Sequence, residues 1–231
     1  MTDRDAVKAQ NVPNRRFWGL LRRKEAWVLS GRGWVAVLML LFVSFFLVVV
    51  EINPFLSLTE RPNPDVLVIE GWVPDYVLLA GWFEFHDGHY STLLTVGGPF
   101  RSSVDLDPDD DYAHLAAYKL KKMVGAGIPV EPVPVPHELR DRTYSSAVAV
   151  REWLASKHQT VTSVTVVTMG VHARRSHLLF EKAFGKGVRI GVVSVRDEEY
   201  DPKRWWRYSE GVKEIISEGA SYLYVRLFFY P

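Results

Sequence analysis

Thr168-Met169-Gly170-Val171-His172-Ala173-Arg174-Arg175-Ser176-His177 decides how the rest of the chain is read. The six residues from Ser163 to Thr168 are mostly β-branched, Gly170 permits a sharp turn, and the residues after it suit a helix. A buried strand running into a helix is where open α/β folds bind ligands. The first turn of a helix offers free N–H groups and a partial positive charge to an anion, and His172, Arg174 and Arg175 lie there. The stretch therefore reads as an anion site with a titratable group beside it.

Working outward, apolar runs and helical stretches alternate five times. Short strands are expected at Val66 to Ile69, Leu93 to Val96, Val130 to Val135, 163–168 and 188–194. Helices are expected at Asp75 to Asp87, 110–124 with Leu115, Leu120 and Met123 inward, 143–157, 172–184, and Trp205 to Phe229. Alternate prolines confine the third strand to an edge or a bulge. Parallel strands need such crossovers, so the fold class is α/β: a three-layer Rossmann-like sandwich with a mostly parallel sheet of about five strands, preceded by one transmembrane helix.

That span is Gly33 to Val50, which holds no charge between Arg32 and Glu51. Extended to Ile52, at ~1.5 Å per residue it crosses a ~30 Å hydrocarbon core. A cleaved signal peptide would have a shorter apolar region and a small-x-small site, whereas Glu51-Ile52-Asn53-Pro54-Phe55 follows here. Residues 1–33 carry eight Lys/Arg against three acids, leaving twenty against twenty-four. The basic tail keeps the N-terminus cytoplasmic and places the rest outside the inner membrane. The expected layout is a tail at 1–32, a span at 33–52 in the lipid bilayer, a linker at 53–64 and an extracytoplasmic domain at 65–231. The basic residues form pairs rather than a patch, so no nucleic-acid partner is expected. Zero cysteines exclude disulfides and thiol catalysis.

If the sheet is parallel, four loops share one edge: Glu70-Gly71-Trp72, Gly97-Gly98-Pro99-Phe100-Arg101, Glu138 to Thr143, and Gly170 to Arg175. His172 is the candidate general acid/base, and Glu70 and Glu138 are the carboxylates that could share proton transfer. Gly71, Trp72, Gly97, Gly98, Arg101, Arg142, Thr143, Arg174 and Arg175 are the substrate-binding candidates. Thr143 or Asp141 could instead cap a helix. Arg174 and Arg175 point ~100° apart on a helix, so they are expected to do different jobs. Asp105, Asp107 and Asp109 lack the glycine and glutamate of a calcium loop, and His86 and His89 lack a zinc spacing, so no metal is expected. There is no Gly-x-Ser-x-Gly elbow, Gly-x-Gly-x-x-Gly or Walker sequence. The aromatic residues of the last helix read as packing or as a surface against the bilayer.

Together, Glu70-Gly71-Trp72, Gly97-Gly98, Glu138 with Arg142-Thr143-Tyr144 and Ala147, His172-Ala173-Arg174-Arg175, and Trp205-Trp206 before Glu210 resemble the YdcF-like family. This is the envelope group that includes SanA and ElyC, and the likeness covers roughly residues 65–215. The resemblance implies a Rossmann-like domain behind one membrane anchor, a role in cell-envelope biogenesis such as peptidoglycan assembly, and a link to S-adenosylmethionine. Here Glu70-Gly71-Trp72-Val73-Pro74 stands where that family has a Gly-rich loop, Tyr112 where an acid is usual, and Ser146 where asparagine is expected. S-adenosylmethionine has no expected supply outside the cytoplasm, so the cofactor stays unknown. The functional expectation is an enzyme, a hydrolase or transferase, on an anionic and phosphate-bearing envelope precursor, which lipid could carry. The alternatives are a module binding a nucleotide-like ligand such as S-adenosylmethionine, and an envelope scaffold.

Overall fold

The computed structural model describes residues 27–63, 65–100, 111–135 and 141–231, and the backbone alone at 15–16 and 21–22. Five strands form one parallel sheet: β1 (Val66–Glu70), β2 (Thr92–Gly97), β3 (Val130–Pro134), β4 (Ser163–Met169) and β5 (Arg189–Val195). Their order is β3-β2-β1-β4-β5, with the proline-bearing β3 at one edge as its missing N–H groups require. The order reverses between β1 and β4, which makes the outer ends of those two strands the switch point of a doubly wound sheet.

Period-two alternation sorts the core. Val66 and Val68 of β1 and Val164 and Val166 of β4 pack against α4 (Arg142–Ser156) and α5 (Ala173–Phe184), through Ala147, Val150, Leu154, Phe180 and Ala183. Leu67, Ile69 and Val167 face the other way, against α2 (Asp75–Gly88) and α3 (Tyr112–Val124). Every residue of β1 is buried, as expected for a strand covered on both faces. The same alternation sends Glu70 and Thr168, each at the end of its strand, toward α4 and α5.

Helix α3 is set by a cap and by small residues. Asp111 accepts from the His114 amide at 2.8 Å, and Ala113, Ala116, Ala117 and Leu120 form the buried stripe. The expected inward Met123 is exposed, because alanines at that spacing let the helix lie closer to the sheet than longer side chains allow. The last helix is also not continuous. A 3-10 turn at Pro202–Arg207 starts at Asp201, whose carboxylate accepts from the Lys203 amide at 3.0 Å; Tyr208 is extended, and α6 begins afresh at Ser209–Leu227. Gly211 fits under the Trp205 carbonyl, where a Cβ would lie only 2.7 Å from its oxygen, so the break is packed as well as capped.

Two compact units divide at 46/47. The first holds most of α1 (Gly31–Leu56), which is capped by Ser30 and carries outward-facing apolar side chains. α1 has 26 residues and holds an 18-residue stretch with a mean hydropathy of 2.9, so it is long and apolar enough to cross a membrane and fits a single-pass anchor. In the second unit, the end of α1 is part of the fold. Asn53 and Leu56 are buried, Asn53 Nδ2 donates to the Tyr200 hydroxyl at 3.4 Å, and the Trp205 indole donates to the Val49 carbonyl at 2.9 Å.

Of the stretch read as a linker, 53–56 continue α1, and 59–62 lie along β5. Glu60 and Val192 exchange backbone hydrogen bonds at 2.7 and 2.8 Å, and Pro62 occupies the space that a Cβ on Gly191 would need, 2.2 Å away. This covers a sheet edge that would otherwise present unpaired N–H and C=O groups. Gly191→Ala is expected to push the segment off the edge and cost about 1–3 kcal/mol, read by chemical denaturation of the full chain.

Candidate functional site

Gly170 turns the chain out of β4 with φ of +47°, a left-handed conformation that a Cβ would penalise. The Ser194 hydroxyl donates to its carbonyl at 2.8 Å, and a 3-10 turn at Gly170–His172 leads into α5. That turn aims His172 at the ends of β1 and β4.

There a buried polar cluster forms. Glu70 is 2% exposed, and its carboxylate accepts from the Thr168 hydroxyl and, at 3.2 Å, from the Ser176 hydroxyl. His172 Nε2 lies 3.5 Å from Glu70 Oε2, and Nδ1 lies 3.1 Å from Glu218 Oε1 on α6. Arg175 completes the group: Nε and Nη2 donate to the two oxygens of Glu218 at 2.7 and 3.1 Å, a forked pairing, and Nη1 reaches the Thr143 hydroxyl at 3.5 Å. Trp72 lies edge-on over the imidazole, with ring centroids 4.9 Å apart. The His172 side chain keeps 13% of its surface open.

The electrostatics separate two carboxylates one helical turn apart. Burial alone would raise Glu218, but the hydrogen bond and charge of His172, and then those of Arg175, hold it down at about 2. Glu214 moves the other way: burial and then the negative charge of Glu218 raise it above the ordinary carboxylate range. Glu218 is thus a fixed anion and Glu214 a group more easily protonated, the kind of division from which acid and base roles are made. Burial of Arg175 by itself would lower its pKa, and the bonds and charge of Glu218 reverse this to a net rise. Next to the turn, burial and the charge of Asp197 push the Tyr200 phenol up to about 12, so it stays a neutral hydrogen-bonding partner for Asn53.

The structure brings Glu70, Trp72, Thr143, His172 and Arg175 together. Glu138 and Arg101 lie outside the described residues, as do Asp105, Asp107 and Asp109. The two arginines do separate work: Arg175 belongs to the cluster, whereas Arg174 donates to the Phe55 carbonyl and stacks 3.9 Å over its ring, gripping the end of α1. All three nitrogens of the Arg175 guanidinium are engaged, while Arg174 is tied through Nε and its stack on Phe55. Arg142, the first residue of α4, is exposed and makes no ion pair among the described residues, while Asp141 caps that helix by accepting from the Tyr144 amide at 3.2 Å.

Gly71 and Gly97 serve packing. A Cβ on either would fall 2.3 Å from the Tyr112 carbonyl oxygen or 2.6 Å from the Tyr112 Cβ. Gly98 joins the same junction, its carbonyl accepting from the Tyr112 amide at 3.0 Å. Gly71 and Gly97 give their space to α3, so these two do not fit the glycine cradle that S-adenosylmethionine would take there.

Sequence reasoning missed Thr168, Ser176 and Glu218 as members of the site, whereas Glu214 reads from the sequence as able to reach the crevice. Glu218 carried a faint signal, a carboxylate at i+4 from Glu214 on a helix otherwise rich in aromatic residues. Nothing local marked its partner, which lies 43 residues earlier.

Fold and cluster define a class: a Rossmann-like α/β protein with a carboxylate–imidazole–carboxylate–guanidinium group at its switch point. Comparison with protein-family models, with curated proteins and with solved structures finds no match to this chain.

Proposed function

We propose that this chain is a membrane-anchored YdcF-like protein of the bacterial cell envelope that binds and processes an anionic, phosphate-bearing precursor at the β1/β4 crevice. The observation that carries the reading is His172 held between Glu70 and Glu218, partly open beside Trp72. Nδ1 lies 3.1 Å from Glu218, which stays ionised, and 3.1 Å from Arg175 Nη2, so the Glu218–Arg175 pair together holds the ring. Nε2 and Glu70 then face the substrate side, where a proton can pass between them and a reacting oxygen. Arg142 at the mouth supplies a cation for the phosphate, and Arg175 positions Glu218. The chain is anchored in the inner membrane by residues 33–52 through α1, with its N-terminus cytoplasmic and the α/β unit outside.

The test compares lipids and soluble metabolites of three strains: deletion, complemented, and expressing His172→Ala. An envelope intermediate that accumulates equally in the deletion and His172→Ala strains supports catalysis. A His172→Ala strain indistinguishable from the complemented one, with the protein folded and inserted, sinks it.

A further inference from the structure

We propose that the outer face of α6 lies in the interfacial layer of the bilayer beside α1, so that the α/β unit rests on the membrane. The inference takes the anchor reading of α1 as given. Ile216, Ala220, Leu223 and Leu227 recur at i, i+4, i+7 and i+11, and Ile216, Leu223 and Leu227 are 63%, 56% and 55% exposed. That spacing draws one apolar stripe along the helix, turned away from the buried Gly211, Ile215, Glu218 and Val225.

The occupant follows from what lies next to the stripe. Val212 and Tyr222 of α6 pack in one cluster with Val49, Ile52 and Leu56 of α1. Ile216 and Leu223 stand within about 40° of the partly buried Val212 around the helix, so the stripe begins at the edge of that cluster. On α1 itself Leu47, Val48 and Val50, in the same compact unit, are exposed and apolar. Val49 and Ile52 belong to the last turns of the proposed span, so the α6 residues clustered with them lie at its outer end.

The stripe also widens toward the C-terminus through Tyr224 and Phe228, 55% and 69% exposed. A two-stranded coil needs only a narrow seam, whereas an aromatic residue with a polar tip, as Tyr224 has, suits the layer between headgroups and acyl chains.

The absence of cysteine makes the test direct, since each introduced thiol is unique. The full-length chain is spin-labelled at Ile216→Cys, Leu223→Cys or Leu227→Cys, with Leu40→Cys in α1 and Lys122→Cys on α3 as references. Each is reconstituted into phosphatidylcholine–phosphatidylglycerol vesicles, and collision with oxygen is compared with collision with an aqueous nickel chelate. The expected result is a severalfold higher oxygen-to-nickel ratio at the three α6 positions than at Lys122→Cys, with Leu40→Cys higher still. Nickel access at the α6 positions equal to that at Lys122→Cys overturns the inference, and a lipid-like Leu40→Cys then leaves the anchor intact. An aqueous Leu40→Cys removes the anchor and the inference together. Spin–spin broadening between copies labelled at Leu223→Cys assigns the stripe to a second chain and also overturns it.

Discussion

Arg175→Met should lower the unfolding free energy by about 3–5 kcal/mol, measured by chemical denaturation of the full chain in detergent. Glu218 is buried and ionised, and Arg175 makes a forked bond to it; methionine fills much of the same volume but leaves the carboxylate with only His172 for company. The cost is the desolvation of an under-compensated charge. A double variant, Arg175→Met with Glu218→Leu, should recover most of the loss, because it removes the stranded charge as well. Equal instability of single and double variants would show that packing, not charge, is what Arg175 supplies.

The sign of the pH dependence follows from the lowered pKa of Glu218, about 2 against an ordinary value of 4.5. A depressed carboxylate stabilises the fold fully above its unfolded pKa and loses that contribution as pH falls through the folded value. The gap between wild type and Arg175→Met should therefore be widest above about pH 4.5 and close as the pH falls toward 2.

The second large effect is on chemistry. Glu70→Gln keeps the size of the side chain and an oxygen to accept from Thr168 or Ser176, but removes the charge and the ability to take a proton. If Glu70 shares proton transfer with His172, turnover of the envelope intermediate should fall about 10²–10⁴-fold while the thermal unfolding midpoint changes little. A variant that destabilises the chain and leaves turnover intact would make Glu70 a strand-end tie between β1, β4 and α5. Glu70→Leu should both unfold and inactivate, since it orphans two buried hydroxyls.

Much of this arrangement was legible because it is local. The β-branched run before Gly170, the buried first strand and the prolines of β3 each bias the backbone over a few residues, and together they specify a parallel sheet with that edge. His172 and Glu70 were readable because both sit where strands end. The opposing angles of Arg174 and Arg175 followed from helical spacing alone. What each arginine grips did not, since Phe55 and Glu218 come from elements more than 40 residues away in opposite directions. Gly71 and Gly97 were misleading for a physical reason: a glycine at a strand end can admit a ligand or a neighbouring helix, and only the position of Tyr112 distinguishes them. The break at Tyr208 was hidden by the uninterrupted aromatic pattern across it.

The grip of Arg174 on Phe55, with the Asn53–Tyr200 and Val49–Trp205 bonds, also bears on reach. A domain on a flexible stalk samples a volume set by the stalk, but here the end of α1 and the turn bearing His172 share a core and have no slack between them. The turn bearing His172 is therefore held at one height relative to the last turns of α1. Lengthening the segment after Leu56 would not extend that reach, and a chain cut at Ser57 would lose part of its own interior along with its tether.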